Sequence, residues 1–229
     1  MRLPEAVLWD MDGTLVDTEA YWMEAEYALV AEHGGTWTEQ DAHDLVGNPL
    51  LVSAQLLRTR GGVRLTDEEI VDRLLTHVVR RVGDHVPWQP GALELLEDLA
   101  RHGVPTALVT MSWTALAHTV VDALPAGSFA TLVTGDQVTN GKPHPEPYLE
   151  AAARLDVDPR RCVAIEDSVT GLLSAEAAGV PTVAVPHLVP IPPSPGRLIV
   201  ESLALLDTAA LAAVLEASLS AAAVDVSET

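Results

Sequence analysis

From Pro90 onward the chain alternates helix-length segments with short apolar runs, and few architectures accept that pattern. Segments patterned for helix at 92–102, 113–124, 146–155 and 169–178 each lead into an apolar run, at 106–110, 131–134, 162–165 and 182–185. Such alternation predicts a parallel sheet covered by helices on both faces. One more run, Ala6-Val7-Leu8-Trp9, comes at the start; it is too short for a helix and is stopped at Gly13. Beyond the proline-rich loop 186–196 the sequence predicts a short strand near 198–200 and a last helix from Asp207, with 218–229 expected to fray.

Between the first strand and this alternation, residues 18 to about 84 read as helix throughout. Thr18 is placed to cap a helix running to Gly34-Gly35, and Thr38 a second, short one. Pro49 suits the first turn of a third helix ending near Gly61-Gly62, and Thr66 with Glu69 forms a capping box for a fourth. The expected organisation is therefore an α/β, Rossmann-like parallel-sheet core made of 1–17 and 89–229, with an α-helical bundle of 18–88 inserted into it.

Composition narrows the function classes. Of the 229 residues 48% are hydrophobic but only 4% aromatic, so a large core must be built from Ala, Val and Leu. The formal net charge of -20 argues against a nucleic-acid partner, because phosphate backbones bind basic surfaces. An anionic substrate then needs local positive charge, since salt screens the long-range repulsion only beyond about 8–10 Å. The single cysteine, Cys162, forms no internal disulfide and reads as a buried strand residue rather than a nucleophile. No basic, then apolar leader opens the chain and no run of about 18 apolar residues follows, so the expectation is a cytoplasmic protein without a membrane partner.

Asp10 and Asp12 carry the chemistry. They stand where the first strand turns, at the carboxyl edge at which open α/β sheets bind ligands. One carboxylate there can attack phosphorus to form an aspartyl-phosphate, and the other can pass protons to and from the ester oxygen. The competing reading is an ordinary acidic turn. Later strand ends add to the pair. Thr110, Met111 and Ser112 offer a hydroxyl and the amides of a helix's first turn to a phosphate, although Ser112 is equally a plain helix N-cap. Lys142, in Gly-Lys-Pro-His-Pro, is the only lysine of the chain, which suggests a site requiring a compact ammonium. Glu166 and Asp167 end another strand. With Asp10 and Asp12 they bring four carboxylates to one edge, where two charges 4 Å apart repel by about 4 kcal/mol at an effective dielectric of 20. A Mg²⁺ ion resolves that conflict and holds a phosphate oxygen near the nucleophile.

The segments Asp-Met-Asp-Gly-Thr-Leu-Val-Asp-Thr-Glu at 10–19, Thr110, Gly-Lys-Pro-His-Pro-Glu-Pro-Tyr at 141–148 and Ile-Glu-Asp-Ser-Val-Thr-Gly at 165–171 resemble the four motifs of the haloacid dehalogenase superfamily. The resemblance implies Asp10 as nucleophile, Asp12 as general acid and base, Thr110 and Lys142 as phosphate binders and Asp167 as a metal ligand supported by Glu166. The insertion is similar to the helical cap of the branch that includes phosphoglycolate phosphatase and β-phosphoglucomutase. A Mg²⁺-dependent phosphatase acting on a small phosphorylated metabolite is the leading expectation.

A β-phosphoglucomutase-like transfer and a non-catalytic binding protein on the same fold stay as alternatives. A dehalogenase has no use for Asp12, and a phosphonate-cleaving enzyme needs a cap lysine that is absent. Against the mutase, Trp22 stands where the resemblance leads one to expect a histidine, and Gly47-Asn48-Pro49-Leu50 lacks the expected arginine; Arg58, Arg60 and Arg64 could still bind a phosphate from another direction. Asp17, Tyr21, Trp22, Gly47 and Asn48 are candidates for the substrate cleft, and each is also an ordinary helix or turn residue. Oligomeric state leaves no signature in the sequence.

Overall fold

A computed structural model describes residues 2–227, with side chains as far as residue 221. Six parallel strands, β1 (Val7–Trp9), β2 (Thr106–Val109), β3 (Thr131–Val133), β4 (Val163–Glu166), β5 (Thr182–Ala184) and β6 (Arg197–Ile199), lie in the order β3-β2-β1-β4-β5-β6. β1 is central because both its faces are apolar: Val7 and Trp9 join one core cluster, Leu8 the other, and all three are fully buried. Helices α7 (Glu146–Leu155) and α8 (Val169–Ala177) cover the Leu8 face. Helices α5 (Ala92–Arg101) and α9 (Thr208–Ser227) bury Leu95, Leu99, Leu211 and Leu215 in the cluster on the opposite face. The expected layers are present.

Boundaries differ from expectation by a residue or more. β2, β3 and β5 each end one residue earlier, and β4 runs from Val163 through Glu166, so Cys162 stands just outside it. Burial pushes the Cys162 thiol up to about 12, which leaves it inert as a nucleophile at neutral pH. Helix α6 (Thr114–Val121) stops short of Leu124, ahead of the Pro125-Ala126-Gly127 turn. α9 continues to Ser227, through most of the stretch expected to fray, and the last two positions of that stretch lie outside the described residues. Among the described residues no helix is long and apolar enough to cross a membrane.

The insertion holds α1 (Glu19–Glu32), α2 (Glu39–His43), α3 (Leu50–Thr59) and α4 (Asp67–Asp84). Capping boxes Thr38/Asp41 and Thr66/Glu69 start α2 and α4. Pro49 stands immediately before α3 rather than in its first turn. α4 organises the bundle: Ile70, Val71, Leu74, Val78 and Val82 recur at helical spacing, are buried, and face α1, α3 and α6. Each such side chain contributes about 1.5–3 kcal/mol by leaving water. Two chain segments join insertion to sheet, and they are stitched together. Asp17 N–H donates to Pro87 O at 2.8 Å, Gln89 N–H to Leu15 O at 3.0 Å, and the Gln89 side-chain amide to Gly13 O at 2.9 Å.

Candidate active site

Asp10 follows β1 and continues its ladder, donating its backbone N–H to Ile165 O at 3.0 Å. The chain then turns at Gly13, where φ is +87° and a Cβ would stand 2.1 Å from Asp167 Oδ2, so only glycine lets this loop pass the end of β4. Lys142, 4% exposed, reaches under the turn. Its ammonium donates to Asp10 Oδ1 and Glu166 Oε1, both at 2.6 Å, and to Val109 O at 2.8 Å, which uses all three of its protons. Glu166 is held from the other side by the Tyr148 hydroxyl at 2.7 Å and the Ser168 hydroxyl at 3.1 Å. Its neighbourhood admits no extra atom, since a Cβ on Gly171 would lie 1.9 Å from Oε1.

Asp12 is held by four donors. Oδ1 accepts from the Thr18 hydroxyl at 2.6 Å and Trp22 Nε1 at 3.1 Å, and Oδ2 from the hydroxyls of Ser112 at 2.8 Å and Thr110 at 3.2 Å. Two helix-capping expectations fall with this arrangement. Thr18 makes no side-chain cap on α1, and α6 is preceded by Trp113 rather than Ser112, because both hydroxyls are committed to Asp12. Thr110 and Met111 line the cleft; the Thr110 hydroxyl also accepts from Ser112 N–H at 2.9 Å, and the Met111 sulfur from Lys142 N–H at 3.2 Å.

The electrostatics of this edge follow from burial. Burial and then the Glu166 charge push Asp10 up to about 7, against the pull of Lys142. Burial and the charges of Asp10 and Glu166 hold Asp167 well above the usual carboxylate range. Burial alone would lower Lys142, but Asp10 and Glu166 beside it hold it above its ordinary value. Asp10, Glu166 and Asp167 each offer an oxygen within 4.8 Å of the others. That donor set suits a hard divalent cation, which would offset the charge left over after one ammonium. Asp10 and Asp167 keep accepting capacity for it, whereas both oxygens of Glu166 are occupied by Lys142, Tyr148 and Ser168. Asp12, expected as a fourth ligand, is not in the group, because its carboxylate is turned to its four donors.

A cleft with an accessible volume of about 70 Å³ lies between this edge and the insertion. Trp22, Gly47 and Asn48 line it as expected. Asp17 does not; it points to the loop after β5 and pairs with His187 Nε2 at 2.9 Å. Tyr21 also points away, with Arg81 stacked 4.8 Å over its ring. The arginines that could have met a second phosphate are engaged elsewhere: Arg58 with Asp67 at 3.0 Å, Arg60 with Asp44 at 2.7 Å, and Arg64 toward His33 O at 3.4 Å. Sequence reasoning quoted Glu19 and Tyr148 only as ends of motif segments, with no role of their own, and passed over Glu26 and Ser53. Burial, with Asp12 and Glu26 nearby, pushes Glu19 up to about 8; burial does the same to Glu26, against the Trp37 N–H that donates to it at 3.2 Å. The one local hint was that positions 19 and 26 share a helical face with Trp22, which does not by itself tell a buried glutamate from a solvated one.

The model of haloacid dehalogenase-like hydrolases matches residues 7–185, which is most of the chain and includes every residue of this edge. The chain belongs to that family. Within the haloacid dehalogenase-like hydrolases it is 31% identical over 187 residues to hexitol phosphatase B of Escherichia coli, covering 79% of this chain and 83% of that one. It is also 31% identical over 189 residues to a bifunctional riboflavin kinase/FMN phosphatase of Arabidopsis thaliana, covering 82% of this chain but only half the length of that larger protein. Among solved structures, CbbY from Rhodobacter sphaeroides in complex with xylulose-1,5-bisphosphate superposes with a TM-score of 0.82 at 27% identity, covering 91% of this chain and 99% of that one.

Proposed function

We propose that this hydrolase is a Mg²⁺-dependent phosphatase that cleaves a small phosphomonoester, a sugar phosphate or similar metabolite, through an aspartyl-phosphate on Asp10. One observation carries the reading: Lys142 binds a single oxygen of Asp10, at 2.6 Å, so the carboxylate is fixed in orientation while its other oxygen remains available at the cleft. That oxygen attacks phosphorus, the ester P–O bond breaks, and the leaving oxygen takes a proton from Asp12. Asp12 then removes a proton from water, which attacks the aspartyl-phosphate and releases inorganic phosphate. Thr110 and the backbone at Met111 cradle the phosphoryl group, and Lys142 offsets charge on Asp10 as it develops. Mg²⁺, when bound by Asp10 and Asp167 with Glu166 behind them, supplies positive charge to a phosphate oxygen. Residues 18–88 serve as the unit that selects the substrate.

A sugar-phosphate mutase would need a second phosphate site, and the engagement of Arg58, Arg60 and Arg64 outside the cleft weighs against it. A non-catalytic role leaves the tightly built Asp10–Lys142–Glu166 chain without a purpose. The test is release of inorganic phosphate from 4-nitrophenyl phosphate with Mg²⁺. Turnover that is lost in Asp10→Asn supports the reading, and turnover retained by that variant overturns it.

A further inference from the structure

The part of the cleft away from Asp10 is built from the insertion, and its polar groups have an unusual balance. Glu19 and Glu26, seven positions apart on α1, both line it and are 9% and 5% exposed. Among the described residues the Glu19 carboxylate has no hydrogen-bond partner. Glu26 commits Oε2 to Trp37 and leaves Oε1 open. Ser53 on α3, 5% exposed, keeps its hydroxyl unpartnered, and Asn48 uses its amide N–H on Asp44 O at 2.9 Å while its side-chain carbonyl stays open. The floor between them is apolar, from Leu45, Leu50 and Leu74. Among the described residues Lys142 is the one cation in the lining, and all its protons are already donated at the sheet edge.

Resting on the phosphatase reading, we infer that this wall is built for a neutral, hydroxylated chain: the substrate is the monophosphate of a polyhydroxy compound, with neither a second phosphate nor a carboxylate at its far end, and Glu19 and Glu26 are the residues that select it. A hydroxyl entering here exchanges water for a carboxyl oxygen and leaves no group unpaired. An anion entering here is stripped of water and meets no counter-charge. Neither carboxyl supplies a positive charge in either protonation state, and the burial that favours their protonated forms lets each both donate to and accept from a hydroxyl. Specificity of this kind is strong because a poor fit leaves buried polar groups unsatisfied. The inference separates this chain from its structural neighbour CbbY, whose complex holds a bisphosphate.

The test compares kcat/KM of the Mg²⁺-loaded enzyme on matched pairs: sorbitol 6-phosphate against 6-phosphogluconate, and fructose 6-phosphate against fructose 1,6-bisphosphate, with 4-nitrophenyl phosphate as reference. The neutral member of each pair should be preferred by about tenfold or more, the size expected when a buried group is left without its partner. Glu26→Met and Glu19→Met, which keep the bulk of the side chain but offer a hydroxyl no comparable partner, should each lower the ratio of sorbitol 6-phosphate to 4-nitrophenyl phosphate by about fivefold, whereas a merely structural role would leave that ratio unchanged. Equal or better turnover of the anionic members, or unchanged ratios in both variants, overturns the inference while the phosphatase reading stands. No turnover of any ester overturns both.

Discussion

At the sheet edge, Asp10, Lys142, Glu166 and Tyr148 form a continuous chain of bonds of 2.6–2.7 Å, whereas across the cleft Glu19 and Ser53 are buried with no partner among the described residues. Both regions bury carboxyl groups. They differ in what has been set beside them: the edge has an ammonium and a phenol on its carboxylates, while the insertion has a single indole N–H on Glu26. A chain of short bonds fixes the orientation of Asp10 while leaving its second oxygen open, which bond making at phosphorus requires. An unsaturated set waits for an incoming group to complete it. On the reading proposed above, reaction and choice sit on different elements of one cleft.

The largest effect that can break this division comes from the edge. Asp10→Asn keeps shape but cannot attack phosphorus, and kcat should fall by at least about 10³-fold with the fold intact by circular dichroism. Lys142→Arg keeps charge but forces a wider, forked group into a position 4% exposed; a loss of about 10²-fold is expected in steady-state assays, and a wild-type rate would reduce Lys142 to general positive potential. Next is Asp167→Ala, which should raise the Mg²⁺ concentration for half-maximal activity by about tenfold or more, with wild-type activity abolished by EDTA and restored by Mg²⁺. Full turnover by metal-stripped protein would remove the ion from the scheme.

The smallest effect sharpens the other side. Glu26 is pushed from 4.5 up to about 8 in the folded protein, so the folded state holds a proton that the unfolded chain releases. Its contribution to stability is complete below about pH 4.5 and is lost as pH rises through about 8. In chelator-treated protein the Tm of Glu26→Gln should therefore fall less between pH 5 and 8.5 than that of the wild type. Parallel Tm curves would show that Glu26 is not held protonated.

The alternation of period made the layers legible, and the two capping boxes located α2 and α4, because those signals are local to the chain. Thr18 and Ser112 misled for the same reason: each looks like a helix cap until Asp12, folded against it from elsewhere, takes its hydroxyl. The core motif residues were legible since their chemistry is tied to residue type at strand ends. Glu19 and Glu26 were not, because a glutamate on a helix reads as solvated unless the surface it faces is known. Asp17 was placed in the cleft on sequence grounds, but the loop after β5 brings His187 to it, a pairing across 170 positions that no local pattern announces. Likewise, Arg58 and Arg60 found carboxylates on their own insertion before any ligand could claim them.

The four bonds to Asp12 divide evenly by origin. Thr18 and Trp22 belong to the start of the insertion, Thr110 and Ser112 to the loop after β2. If Asp12 handles the proton, that side chain works as a coincidence detector: it is fully oriented only when α1 lies against the sheet and the β2 loop is in place together. Thr18 and Trp22 supply half of its donors, so the aim of Asp12 depends on the seat of α1 as much as on the sheet.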